Sequence, residues 1–143
     1  ARAHLFERDF SRSLACYQQL MSPDTGSSPF VAIGYLQLKL GRQDEGRRLL
    51  ERGRVILENS LKEGDESSQV PYSLSTIYAV LGNKKEAVEW LRKAVAAGWR
   101  DYRYGLVDPL LENLHGDGQF DQLISNVKSM VDEERRRVEE GDL

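Results

Sequence analysis

The sequence of 143 residues predicts an all-α protein built from consecutive helix pairs, and three observations carry that prediction. Apolar residues recur at spacings of three and four: Ile33, Leu36 and Leu40; Leu49, Leu50, Ile56, Leu57 and Leu61; Leu74, Ile77, Tyr78 and Leu81; Val88, Leu91 and Val95. Glycines stand where these runs stop, at Gly41, Gly82, Gly98, Gly116 and Gly118, and prolines stand where runs start, in Ser28-Pro29 and Asp108-Pro109. No segment alternates apolar and polar residues over several positions, as a half-buried strand does.

The expected helices are 1–7 with 9–21, 29–40 with 42–63, 69–81 with 84–97, and 107–115 with 119–139. Ser28 and Asp108 each offer a capping oxygen just ahead of a proline whose fixed φ suits the first turn. Pro71 follows the polar stretch 63–69 and fits the opening turn of another helix. The turns inside the pairs are very short: Arg8-Asp9, Gly41-Arg42, Gly82-Asn83 and Gly116-Asp117-Gly118. Such turns force the two helices of a pair antiparallel. Stacked pairs can then bury one another's apolar faces.

Composition removes several classes. Hydrophobic residues at 40% and charged residues at 30% are too apolar for a disordered chain and too polar for a membrane one. No stretch approaches the roughly 18 apolar residues of a transmembrane helix, so no membrane association is expected. Twenty basic residues against 23 acidic ones give a net charge of -3, without the basic surplus of a general nucleic-acid binder. The lone cysteine, Cys16, permits neither an intrachain disulfide nor a multi-cysteine zinc site. The absence of disulfides fits the cytoplasm. The chain opens Ala1-Arg2-Ala3-His4-Leu5-Phe6, which reads as helix interior, and it is expected to be a piece of a longer protein.

Setting the inner turns in register aligns three segments that begin at Arg8, Gly41 and Gly82. Small residues then fall at Ser13, Gly46 and Ala87, which are 33 and 41 positions apart, and Gly34 matches Ser75 in the preceding helices. Two helices joined by a tight turn need small side chains where their axes come nearest. Gly46 and Gly53 each cost a helix on the order of 1 kcal/mol relative to Ala, which close packing would offset.

These residues resemble the tetratricopeptide repeat (TPR) family, whose period is roughly 34 residues. The segment 69–101 carries Leu74, Tyr78, Gly82, Ala87, Leu91 and Ala94 as the family pattern expects. The segment 27–67 carries Gly34, Gly41 and Leu50, but glycine replaces alanine twice and Gln37 stands where an aromatic is usual. In the first repeat Phe10, Leu14 and Tyr17 fit a second helix. The stretch from Asp108 to Ile124 is similar to the closing unit of bacterial TPR proteins. The resemblance implies a right-handed α-solenoid of about three and a half repeats in one domain: a partial repeat 1–27, repeats 28–67 and 68–101, and a degenerate repeat 102–143 with a long capping helix. The charged end 132–140 would keep such a stack from polymerising.

Reactive constellations are missing from the sequence. Cys16 lies between Leu14 and Tyr17 on an apolar side and reads as a buried thiol. His115, next to Gly116, reads as a surface residue at a helix end. Calcium loops, P-loops, dinucleotide fingerprints and HExxH motifs do not occur. Neither catalysis, nor a cofactor, nor a metal is expected. Arg42, Arg47, Arg48, Arg52 and Arg54 suggest RNA binding, but Asp44, Glu45, Glu51 and Glu58 interleave with them at ion-pair spacings.

The leading function is therefore a protein–protein interaction scaffold, the regulatory or signalling part of a larger chain, that takes a peptide or helix of a partner. The TPR resemblance places this groove along the first helices of each pair. The residues left over there, once the core face is assigned, are Val31, Tyr35, Leu38 and Lys39 on one helix and Gln69, Tyr72, Thr76 and Val80 on the next. Tyrosines beside apolar neighbours suit a binding hot spot, while the bland alternative has Tyr35 and Tyr72 packing between repeats. Two other functions stand behind it: self-association through Leu5 and Phe6, and an RNA-binding solenoid.

Overall fold

The structure is a computed structural model and describes residues 28–141. The first partial repeat, with Leu5, Phe6, Phe10, Leu14, Cys16 and Tyr17, lies outside the described residues. Every regular element among them is helical: α1 (Ser28–Lys39), α2 (Gln43–Lys62), α3 (Gln69–Val80), α4 (Lys84–Ala96), α5 (Tyr102–Val107), a 3-10 segment (Pro109–Leu114) and α6 (Gly118–Glu139). None of these helices is long and apolar enough to cross a membrane.

The pairs α1–α2 and α3–α4 close in the same way. Arg42 N donates to Gln37 O after α1, and Asn83 N donates to Tyr78 O after α3, both at 2.9 Å. Gly41 and Gly82 sit between them at φ +83° and +86°, the left-handed conformation that this closure demands and that a Cβ disfavours. Both turns thus work as the glycine pattern predicts.

Close approach follows at the expected small residues. A Cβ on Gly46 would lie 2.8 Å from Gly34 O and 2.7 Å from Leu38 Cγ, and a Cβ on Gly34 would lie 3.0 Å from Gly46 O. In the next pair the equivalent residues, Ser75 and Ala87, are both fully buried, and Ser75 Oγ donates to Ala87 O at 2.7 Å. Gln37, which replaces the usual aromatic, is buried and accepts from Arg42 Nη1 at 3.1 Å. The polar substitution is therefore satisfied rather than orphaned.

Three apolar clusters hold the helices among the described residues. Val31, Leu50, Leu57, Leu74 and Ile77 join α1, α2 and α3. Ala87, Leu91, Leu111, Leu114, Phe120 and Val127 join α4, the 3-10 segment and α6. Val80 and Leu110 also pack on Ile33, Tyr35 and Leu36, and so link α3 and the 3-10 segment to α1.

The region after Gly98 differs from the sequence reading. The expected helix 107–115 is instead a 3-10 segment, Pro109–Leu114, preceded by the extended Asp108 and by the end of α5 at Val107. Asp108 caps as expected, accepting from Leu110 N at 3.0 Å, but it caps 3-10 turns and not an α-helix. Helix α5 was not expected at all. Asp101 starts it by accepting from Tyr104 N at 3.3 Å. Gly105 makes it possible, because a Cβ there would stand 2.9 Å from the Trp99 ring.

Candidate functional site

Of the eight expected groove residues, the structure turns three into the interior outright. Val31 packs with Leu57, Leu74 and Ile77. Thr76 is buried, and its hydroxyl donates to Ser73 O at 2.6 Å. Tyr72 stacks on Trp99 with ring centroids 5.3 Å apart, and its hydroxyl donates to Asp108 Oδ2 at 2.6 Å. These residues hold helices together, so the bland alternative describes Tyr72. Gln69 is exposed at the first position of α3.

The other four converge. Tyr35, Leu38, Lys39 and Val80 line one open cleft with Gln43, Pro109, Leu110, Glu112 and Asn113. Its volume, about 200 Å³, is below the roughly 300–1,000 Å³ of a small-molecule site and suits an inserted side chain. The floor is aliphatic, from Leu38, Val80, Pro109 and Leu110. The rim is polar. Lys39 Nζ donates to Glu112 Oε1 at 2.8 Å, and the Tyr35 hydroxyl reaches the same oxygen at 3.5 Å. Asn113 Nδ2 donates to Ala79 O at 2.8 Å, which fixes the amide at the edge of the cleft.

Tyr35 joins core and cleft. Its ring is 5% exposed while its hydroxyl meets Glu112. Burial first, and then the Glu112 carboxylate, push its pKa up to about 12. The folded chain therefore holds this proton more tightly than the unfolded chain, whose tyrosines ionise near 10. The sign follows: the contribution is complete below pH 10 and is lost as pH rises from 10 towards 12. Ultraviolet titration compared with that of Tyr35→Phe is expected to show Tyr35 ionising about two units late, and Glu112→Gln should bring that titration earlier.

The 3-10 segment is a wall of the cleft and not a removable plug, because Leu111 and Leu114 are fully buried in the core. Gln43, Pro109, Leu110 and Asn113 were not among the expected site residues. Their place depends on α5 and the Trp99–Gly105 contact, which redirect the chain before Asp108. The Asp101 cap was the one local signal that could have revealed this.

The arginine-rich face of α2 is partly self-compensated. Arg54 bonds Glu51 and Glu58 at 2.7 and 2.9 Å, and the Glu51 bond foremost raises its pKa. Arg52 covers the Phe30 ring at 4.9 Å, and Arg48 lies 3.8 Å from Glu45. His115 is exposed, as expected. No group of three or more His, Cys, Asp or Glu that could hold a metal occurs among the described residues. No family model, curated protein or solved structure matches the chain.

Proposed function

We propose that this chain is a TPR-like interaction scaffold that binds a segment of a partner protein in the cleft between α1, α3 and the 3-10 segment. One observation carries the reading: four leftover residues from two separate helices, Tyr35, Leu38, Lys39 and Val80, line a single open cleft. An aliphatic floor with a polar rim is the composition of a side-chain pocket at an interface. Support for the solenoid comes from the contacts within α1 and α2. Leu38 meets Gly46, Gly34 meets Leu50, and Val31 meets Gly53, so the order reverses along the two helices as an antiparallel pair requires. The matching Ser75–Ala87 contact supports repetition of that unit. Ion pairing along α2 favours a protein partner over RNA.

Alanine at Tyr35 or Tyr72 would test folding, since both rings are 5% exposed. Gln43→Trp tests binding instead: Gln43 is exposed, lines the cleft, and opens α2. Affinity capture from the source cell's extract is expected to recover a protein on the parent chain that the folded Gln43→Trp variant loses. Identical captures on both would move the site elsewhere.

A further inference from the structure

The charge arrangement on the rim selects among partner segments, and this selection rests on the cleft reading above. Among the described residues Glu112 is the only carboxylate lining the cleft, and one of its oxygens is committed: Oε1 accepts from Lys39 and faces the Tyr35 hydroxyl. Oε2 accepts no hydrogen bond among the described residues, although the carboxylate as a whole is paired with Lys39. The Glu112 side chain is 44% exposed, so a ligand can reach that oxygen without disturbing the fold. We propose that the cleft takes a partner segment in which a lysine or arginine lies next to an aliphatic residue. The aliphatic side chain enters between Leu38, Val80 and Leu110, and the cation takes Glu112 Oε2.

The opposite charge fits poorly. An acidic group would have to share the single ammonium of Lys39 with Glu112, which places two carboxylates around one cation. A cation on Oε2 shares Glu112 with Lys39 in the same way, so the sign is set by the charge balance beside the cleft, where two carboxylates, Glu112 and Asp108, act on Tyr35 against the one ammonium of Lys39. Asp108 acts electrostatically on the Tyr35 hydroxyl as Glu112 does, and is the second negative charge near that side of the cleft. The remaining rim groups suit an extended backbone. Among the described residues the Gln43 amide has no hydrogen-bond partner, and the Asn113 carbonyl oxygen accepts no hydrogen bond.

The test is a phage library of random octapeptides selected on the parent chain. Bound sequences are expected to be enriched in Lys or Arg within two positions of Leu, Ile or Val. By titration calorimetry, the best peptide should bind Gln43→Trp at least about tenfold more weakly, as expected when a side chain fills the pocket. Glu112→Gln should weaken it by about two- to fivefold, the worth of one partly exposed charge pair, and Arg→Glu in the peptide should weaken it further. Both variants are checked for a parent-like melting curve, and Lys39→Gln, which removes the competing cation from Glu112, should tighten binding. Selection of acidic peptides, or an affinity unchanged by Glu112→Gln but lost in Gln43→Trp, overturns the charge assignment and leaves the cleft standing. Peptides indifferent to Gln43→Trp, or no selected peptide at all, overturn the cleft itself.

Discussion

Gly46→Ala is expected to destabilise the protein by about 2–3 kcal/mol, although alanine is the better helix former by about 1 kcal/mol. The new methyl would stand 2.8 Å from Gly34 O, a backbone atom, and 2.7 Å from Leu38 Cγ. Leu38 can rotate away, but the carbonyl moves only if α1 moves, and α1 is fixed by the fully buried Leu36 and by Ile33. Separating the helices would also loosen Leu50, which is fully buried against them. For a chain of this size each kcal/mol corresponds to roughly 3–4 °C, so thermal melting should show a fall of about 6–12 °C. Gly53→Ala is the internal control. A Cβ there meets Val31 Cγ2 at 3.3 Å, a side-chain atom that can give by a few tenths of an ångström. It should leave the melting temperature unchanged or raise it slightly. Equal losses at both positions would mean that the tight crossing is not at Gly34–Gly46.

Asp108→Ala is expected to cost about 2–4 kcal/mol. The buried carboxylate serves two elements at once: Oδ2 accepts from the Tyr72 hydroxyl, and Oδ1 accepts from Leu110 N at the start of the 3-10 turns. Removal takes this acceptor from a buried phenol, at about 1–3 kcal/mol, and deletes a cap worth about 0.5–2 kcal/mol. A double-mutant cycle in denaturant separates these parts. Tyr72→Phe should cost about 1 kcal/mol in the parent and close to nothing in Asp108→Ala, because the phenol has then already lost this partner. Additive losses would show that the Tyr72–Asp108 bond contributes little.

The sequence shows clearly the parts of this fold that rest on local chemistry. Gly41 and Gly82 end helices because only glycine takes their positive φ cheaply, and that requirement is visible without any structure. Gly34, Gly46, Ser75 and Ala87 mark close contacts because small residues in helices have few other reasons to recur in register. Helix α5 escaped because its six residues follow a Trp and contain a glycine, and the glycine is explained only by the Trp99 ring beside it. The site was half legible for a related reason. Periodicity separates a helix's core face from the rest, but it does not say that a third element will cover the rest. Tyr72 and Thr76 are on the leftover face of α3, yet the 3-10 segment packs against that helix and Asp108 binds Tyr72. Lys39 and Val80, near the ends of their helices, escape burial and keep the cleft open.

The most direct measurement is hydrogen–deuterium exchange of the parent chain, with and without a saturating octapeptide from the selection. Binding in the cleft predicts slowed exchange in 38–43 and 109–113, next to the Lys39–Glu112 pair, with α2 beyond residue 47 unchanged. Protection centred on the arginine face 47–56, or no local protection despite saturation, would contradict the assignment of the cleft as the binding site.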